Sequence, residues 1–364
     1  MALRPLLRQL ATTENGVALA RDGGRAFVSA SLRPYLIAAL LDGVDDALAE
    51  GRPALVVAGD DRQARDLAAD LRHWLAPRPV RFYPSRGVAY ESHLAPPPHL
   101  VGLRVAALDA LLASEDDQAN ADSEPPVVVV SAVALSEKVP DPALRPHSFT
   151  LTTGDLLDLD EVATDLVAAG YERVDQVDDR GQFAIRGGLL DVYPATEDRA
   201  IRVDLFDIEI ESLRWFSTFT QRSLGETQSV EIAPAAELAA EHRELAEIAA
   251  ASDERQDIVE LLPVDQFREL LELIPGPAQI VVAAEEDVEP ALRDNWSDVC
   301  TAFHDVEAGK LYVKPDAILE TLGQRAGIRL SALDAGQELE FRAQAADIAA
   351  RSPVPRLAQA TTVV

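Results

Sequence analysis

Gly181-Gln182-Phe183-Ala184-Ile185-Arg186-Gly187-Gly188-Leu189-Leu190-Asp191-Val192-Tyr193-Pro194 reads as two short strands folded back on each other. Apolar residues alternate through both runs, the period of a half-buried strand, and the runs meet at Arg186-Gly187-Gly188. Pro194, which has no N–H to donate, stops the second run. The hairpin therefore carries one arginine at its bend. Further on stand Phe206, Asp207, Glu209 and Ile210, then Trp215, Phe216, Gln221, Arg222 and Ser223, in the order of a second strand pair. Strands are expected at about 182–186, 189–193, 200–206 and 209–217. Ahead of them Asp155, Asp158, Asp160 and Glu161 open a helix that reaches Ala169, and Gly170 caps it. Residues 136–228 thus read as a small α+β domain with an antiparallel sheet.

On both sides of this domain the pattern is α/β. In residues 1–135, Arg33 to Leu41 is helical and Ala54-Leu55-Val56-Val57-Ala58 is a buried strand. Arg62 to Leu75 has Ala64, Leu67, Ala68, Leu71 and Leu75 on one helical face. Val80 to Tyr83 is a strand, Val101 to Leu112 a helix, and the polar Ser114 to Pro126 a loop. Val127-Val128-Val129-Val130-Ser131, apolar on both sides, reads as a central parallel strand. Residues 229–345 return to the same signals: helices over Glu237 to Ser252 and Glu254 to Leu262, then strands at Gln279 to Ala284 and Gly327 to Leu330. We read 1–135 and 229–345 as two parts of one α/β layer with the domain 136–228 inserted between them, and 346–364 as a linker-like tail.

The chain has 364 residues, a net charge of −29 and one cysteine, Cys300. The length predicts two or three domains. A lone cysteine excludes a disulfide framework and a cysteine zinc site, and it fits a reducing cytoplasm. So acidic a surface repels phosphate backbones at long range, so strong nucleic-acid binding by this segment alone is not expected. The opening Met1-Ala2-Leu3-Arg4-Pro5-Leu6-Leu7 lacks the apolar core and cleavage pattern of a secretory signal. No run approaches about 18 apolar residues, so no membrane span is expected.

The search for catalytic chemistry finds little. A phosphate-cradling loop needs glycines followed by Gly-Lys-Ser/Thr. The nearest stretch, Ala20 to Ser29 with Gly23-Gly24, has neither the lysine nor the adjacent hydroxyl. The six histidines do not cluster at ligand spacing; His93 and His99 flank Pro96-Pro97-Pro98. Asp207, Glu209 and Glu211 alternate on one strand face, a pattern read as solvated rather than metal-binding. Glu285-Glu286-Asp287 follows a strand and reads as helix N-terminal charge. No cofactor is expected. The arginines of the small domain are the better candidates: Arg173 after Gly170-Tyr171, Arg180 before Gly181, and Arg186 at the hairpin, with Phe183 on the strand leading to it. Arginines and aromatics anchor protein interfaces. The alternative for Arg186 is an internal pair with Asp191 or Glu209, and for Phe183 a place in the core.

The ordered elements Gly170–Asp175, Gly181–Pro194, Ile201–Arg214 and Gln221–Ser223 resemble the small β-rich domain that UvrB shares with the transcription-repair coupling factors (Mfd). Tyr83-Pro84, Tyr90-Glu91 and Pro98-His99 with Arg104 are similar to the same family's loop after its third strand. Asp207-Ile208 and Ser85-Arg86-Gly87 depart from the family pattern. The resemblance implies a degenerate RecA/helicase-like layer in two parts with an inserted domain that docks UvrA, partner contacts by Arg173, Arg186 and Phe183, no catalysis by this segment, and a cytoplasmic location. It also implies that RNA polymerase and double-stranded DNA are reached through C-terminal domains beyond Val364. The alternative within the same family is a UvrB-like, ATP-dependent helicase subunit that binds damaged DNA.

Overall fold

The computed structural model describes residues 3–87, 96–116, 124–240, 262–302 and 305–343. Tyr90, Glu91 and His93, most of the loop after Ser114, the helices expected within 241–261 and the tail 346–364 lie outside the described residues. Along the chain the first strands are β1 (Gly24–Val28), β2 (Ala54–Ala58), β3 (Val80–Tyr83), β4 (Val127–Ser131), β5 (Val139–Pro140) and β6 (Phe149–Thr152). Next come β7 (Glu172–Arg173), β8 (Gln182–Arg186), β9 (Leu189–Val192), β10 (Ala200–Phe206), β11 (Glu209–Phe216) and β12 (Ser223–Thr227). The last are β13 (Ser229–Ile232), β14 (Phe267–Arg268), β15 (Gln279–Val282), β16 (Ala326–Ser331) and β17 (Leu339–Phe341). Helices α1 (Glu14–Asp22), α2 (Arg33–Asp42), α3 (Asp61–Leu75), α4 (Pro98–Asp116), α5 (Ala132–Ser136) and α6 (Leu159–Ala168) precede β7.

The larger sheet has the order β17-β1-β16-β15-β2-β4-β3, and every pairing in it is parallel. Its strands come from both sides of the small domain and interleave: β1 lies between β16 and β17, and Gln279 of β15 registers with Ala54 of β2. Alternate residues of each strand feed two cores. Val56, Val127 and Val129 pack with α2 and α3, while Leu55, Val57, Val128 and Val130 pack with α4, α5 and the helix Glu285–Ala302. Such two-sided burial is why these strands read as unbroken apolar runs. β4, expected at the centre, lies instead between β2 and the edge strand β3; its apolar character reflects helices on both faces, which one place in from an edge also provides.

The smaller sheet has the order β12-β11-β10-β9-β8-β7, antiparallel except where β7 runs parallel to β8. Gly187, at φ +61°, takes the first place of the two-residue turn between β8 and β9, which an L side chain adopts poorly. One sheet face carries Phe183, Leu190, Val192, Ile201, Val203, Ile210 and Leu213 against Val162, Ala163 and Leu166 of α6. Asp158 caps that helix by accepting from the N–H groups of Asp160 and Glu161. Asp207 does not share a strand face with Glu209 and Glu211, because it forms the β10–β11 turn with φ +60°. An aspartate tolerates the left-handed conformation better than most residues, so the turn stays two residues long.

The small domain is seated on the α/β layer by close backbone contact and buried charge. A Cβ on Gly102 of α4 would lie 2.5 Å from the Cβ of Ala195, and one on Gly181 (φ +79°) would lie 2.8 Å from Pro98. Behind this contact two arginines and two glutamates form a buried quartet. Arg86 Nη1 and Arg104 Nη1 both donate to Glu137 Oε2, at 3.2 and 2.7 Å. Arg86 Nη2 reaches Glu237 Oε2 at 2.6 Å, and Arg104 Nε donates to Glu237 Oε1. Arg104 also stacks 4.5 Å over the Tyr83 ring. Ser85-Arg86-Gly87, one of the two stretches that depart from the resemblance in the sequence, is thus where one of the four charges enters. Burial pushes Glu137 up, beyond what Arg104 and Arg86 return. Burial opposes ionisation of Glu237 as well, but there the two arginines prevail and hold it at about 2.

Two consequences are measurable. Gly102→Ala forces an added methyl into Ala195, and urea denaturation is expected to show a loss of about 1–3 kcal/mol; unchanged stability would mean that the helix and the domain are not in contact. Glu237, held at about 2 against an ordinary 4.5, contributes stability that is complete above pH 4.5 and lost as the pH falls from there toward 2. In acid titrations followed by circular dichroism, wild type therefore loses stability more steeply over that interval than Glu237→Gln, and parallel curves would exclude this linkage.

Candidate functional site

The second face of the smaller sheet is divided. At one end Val177 covers Ala184, Ala200 and Phe216, with Val174 and Tyr193 beside them. The other end is open and carries three arginines, each held from beneath by a carboxylate. Register sets Asp191 beside Ala184 on one flank and Arg202 on the other, and Arg202 beside Arg214. Arg202 Nε and Nη2 donate to the two oxygens of Asp191 at 2.7 and 2.8 Å, and Arg186 Nη2 donates to Asp191 Oδ2 at 2.5 Å. Arg202 also lies 4.6 Å over the Phe216 ring and donates to Gln221 Oε1 at 3.2 Å. Its hydrogen bonds to Asp191 outweigh burial and raise its pKa, so it is charged throughout the physiological range. Arg214 Nη2 donates to Asp204 Oδ2 at 2.5 Å, and Ser212 Oγ donates to the same oxygen at 2.8 Å.

Arg186 is 46 % exposed despite its pair with Asp191, so the internal pair and an outward-facing guanidinium coexist. Arg173 is exposed on the edge strand β7, and no side-chain ion pair engages it among the described residues. Its parallel register with Phe183 sets it on the α6 side of the sheet, while Arg186 shares the opposite face with Ala184 and Asp191. The structure brings Arg186 together with Arg202 rather than with Arg173. Arg180 links its turn to the loop after β9, donating from Nε to the Glu197 carbonyl at 2.7 Å and pairing with Asp198.

Phe183 requires a correction. It has 0 % exposure and packs with Leu190, Ile201 and Leu166, so it offers no surface to a partner. Period-two alternation places it opposite Arg186 across the sheet, a separation its nearness in sequence conceals. Phe206, on the same outer face as Arg202 and Asp204, is 76 % exposed at the β10–β11 tip. A large aromatic left in water at a hairpin tip is a signal that sequence spacing did not single out.

At the carboxyl ends of the large parallel sheet, where such folds hold ligands, several polar side chains pair with one another, while Arg33 Nε, Gln63 Oε1 and Glu286 Oε2 are buried without a hydrogen-bond partner among the described residues. Gly23 precedes β1 and Gly24 opens it, so neither lies in the loop between that strand and α2. Arg33, at the start of α2, donates to Glu286 Oε1 at 2.8 Å, and the Ala332 N–H reaches the same oxygen at 3.0 Å. Arg25 pairs with Glu285, and Gln63 donates to Asp287 at 3.0 Å. Asp61 accepts from Ser131 Oγ at 2.6 Å and from both the backbone N–H and hydroxyl of Ser85. Among the described residues no group of three or more His, Cys, Asp or Glu is placed to hold a metal ion, and no helix is long and apolar enough to cross a membrane.

The fold is a small α+β domain inserted in a helicase-like α/β layer, and residues 149–238 match the family model described as the UvrB interaction domain. Over longer stretches the likeness is to transcription-repair-coupling factors. The chain is 31 % identical over 188 residues to that of Bacillus subtilis and 38 % identical over 185 residues to that of Mycobacterium tuberculosis. It is 33 % identical over 235 residues to that of Myxococcus xanthus. These matches cover 51, 50 and 62 % of this chain but only 15, 15 and 19 % of the relatives, so the chain spans less than a fifth of their length. The resemblance read from residues 170–224 is borne out. The core position of Phe183 is checked by Phe183→Ala: a loss of about 3–5 kcal/mol of stability in urea is expected, whereas an unchanged midpoint would return the residue to the surface.

Proposed function

We propose that this chain is a non-catalytic adaptor that docks UvrA through the open face of its smaller sheet, as part of a longer protein acting in transcription-coupled excision repair. The observation that carries this reading is the arginine-bearing face within the domain matched over 149–238. Two guanidiniums share one buried carboxylate, which leaves a positive spot on a chain of net charge −29 and suits an acidic partner surface. Arg186 supplies charge-assisted hydrogen bonds and Phe206 the apolar area first sought in Phe183; Arg173 contacts the partner only if the partner also wraps the β7 edge. The α/β layer serves as a mount, since its ligand-side groups pair internally and the sequence holds no Gly-Lys-Ser/Thr. In this reading residues 1–135 and 229–345 are the mount, 136–228 the docking domain and 346–364 the link onward. RNA polymerase and double-stranded DNA are engaged by parts of the parent protein outside this chain, and the protein works in the cytoplasm.

Titration of purified UvrA into the chain tests the reading. Tight binding is expected, and Arg186→Ala is expected to weaken it more than tenfold, as loss of a central interfacial arginine costs about 2 kcal/mol. No binding of wild type, under conditions where UvrA binds UvrB, would overturn it.

A further inference from the structure

The docking face contains one residue that the partner cannot reach and that nevertheless governs its charge. Asp191 sits at the middle of β9 with 1 % of its surface exposed, yet its two oxygens receive three hydrogen bonds from two arginines on the strands either side. Arg202 is the fixed member of this arrangement, gripped through both Nε and Nη2, stacked on Phe216 and tied to Gln221. Arg186 is the open member. Among the described residues it is held through Nη2 alone, its Nε and Nη1 meet no acceptor, and the side chain is 46 % exposed.

We propose that Asp191 is a positioning residue for docking, anchoring Arg186 against Arg202 so that the free edge of the Arg186 guanidinium is presented, already ordered and still carrying net positive charge, to a carboxylate of the partner. The inference rests on the UvrA-docking reading. Its physical basis is the cost of ordering a long side chain. An arginine beside Gly187 and Gly188, at the bend of a hairpin, would otherwise sample many rotamers and lose them on binding. One carboxylate shared by two guanidiniums restrains Arg186 without neutralising it, because Arg202 already balances that charge. A dedicated pair, one acid to one arginine, would restrain the side chain but cancel the charge the partner reads. The ligand chemistry is therefore an acidic side chain accepting from Arg186 Nε and Nη1.

The experiment is a double-mutant cycle read by UvrA affinity, with wild type, Asp191→Asn, Arg186→Ala and the double variant, each first shown by circular dichroism and melting to be folded. Asp191→Asn is expected to weaken binding about tenfold in the wild-type background, and by less than about twofold when Arg186 is already alanine. That non-additivity is a readout that a merely structural role would not produce. Equal losses in both backgrounds would mean that Asp191 acts through the fold or through Arg202, and would overturn the inference. So would wild-type affinity in Asp191→Asn. If that variant does not fold, Asp191→Glu keeps the charge and moves it by one methylene; weakened binding supports the positioning role and unchanged binding overturns it. Wild type that fails to bind UvrA removes the docking reading and this inference together, whereas binding lost in Arg186→Ala but kept in Asp191→Asn removes the inference alone.

Discussion

The buried quartet of Arg86, Arg104, Glu137 and Glu237 is the interaction on which the placement of everything else depends. Arg86 follows β3 and Arg104 lies on α4, while Glu137 follows α5 and Glu237 lies at the far end of the matched domain. Four charges out of water are costly unless each faces its opposite, and here each arginine touches both glutamates. That mutual requirement makes the arrangement specific: no member can leave without stranding another in a low-dielectric interior. Contacts of Gly102 with Ala195 and of Gly181 with Pro98 then bring α4 and the small domain too close to admit side chains. The charges select the seating, and the glycines permit it.

The same economy of charge recurs on the outer face of the small sheet. Asp191 and Asp204 lie beneath Arg186, Arg202 and Arg214, so each guanidinium is oriented by an acid on a neighbouring strand. Antiparallel pairing suits this use, because register puts residues of adjacent strands side by side and holds them there. A local arginine cluster on so acidic a chain gives directional attraction where a uniformly basic surface would attract any polyanion.

At the carboxyl ends of the large sheet, polar side chains from different loops pair with one another. Arg33 with Glu286, Arg25 with Glu285, Gln63 with Asp287, and Ser85 and Ser131 with Asp61 close the loops at the carboxyl ends of the strands. The acidic run at 285–287, read from the sequence as helix N-terminal charge, does lie in the first turn of its helix and also serves as the other half of these cross-loop pairs.

What the sequence by itself determined was the set of elements carried by local period and backbone chemistry. The hairpin at 182–192, the strand pair at 200–216, the strands around 54, 80 and 127, and the helix on the apolar stripe of Ala64 to Leu75 all follow from spacing, glycine and proline. The class of the fold followed from their order, and Arg186 emerged because it stands at a bend. What only the tertiary structure decided was which residues meet across the chain. Phe183 and Arg186 are three apart, and odd spacing in a strand sends one inward and the other outward. Arg202 joins Arg186 only because β9 lies between their strands and offers Asp191 to both. Glu237 finds Arg86 and Arg104 across more than 130 residues, and no sequence period can encode that meeting, because it is set by burial and charge balance in the assembled core.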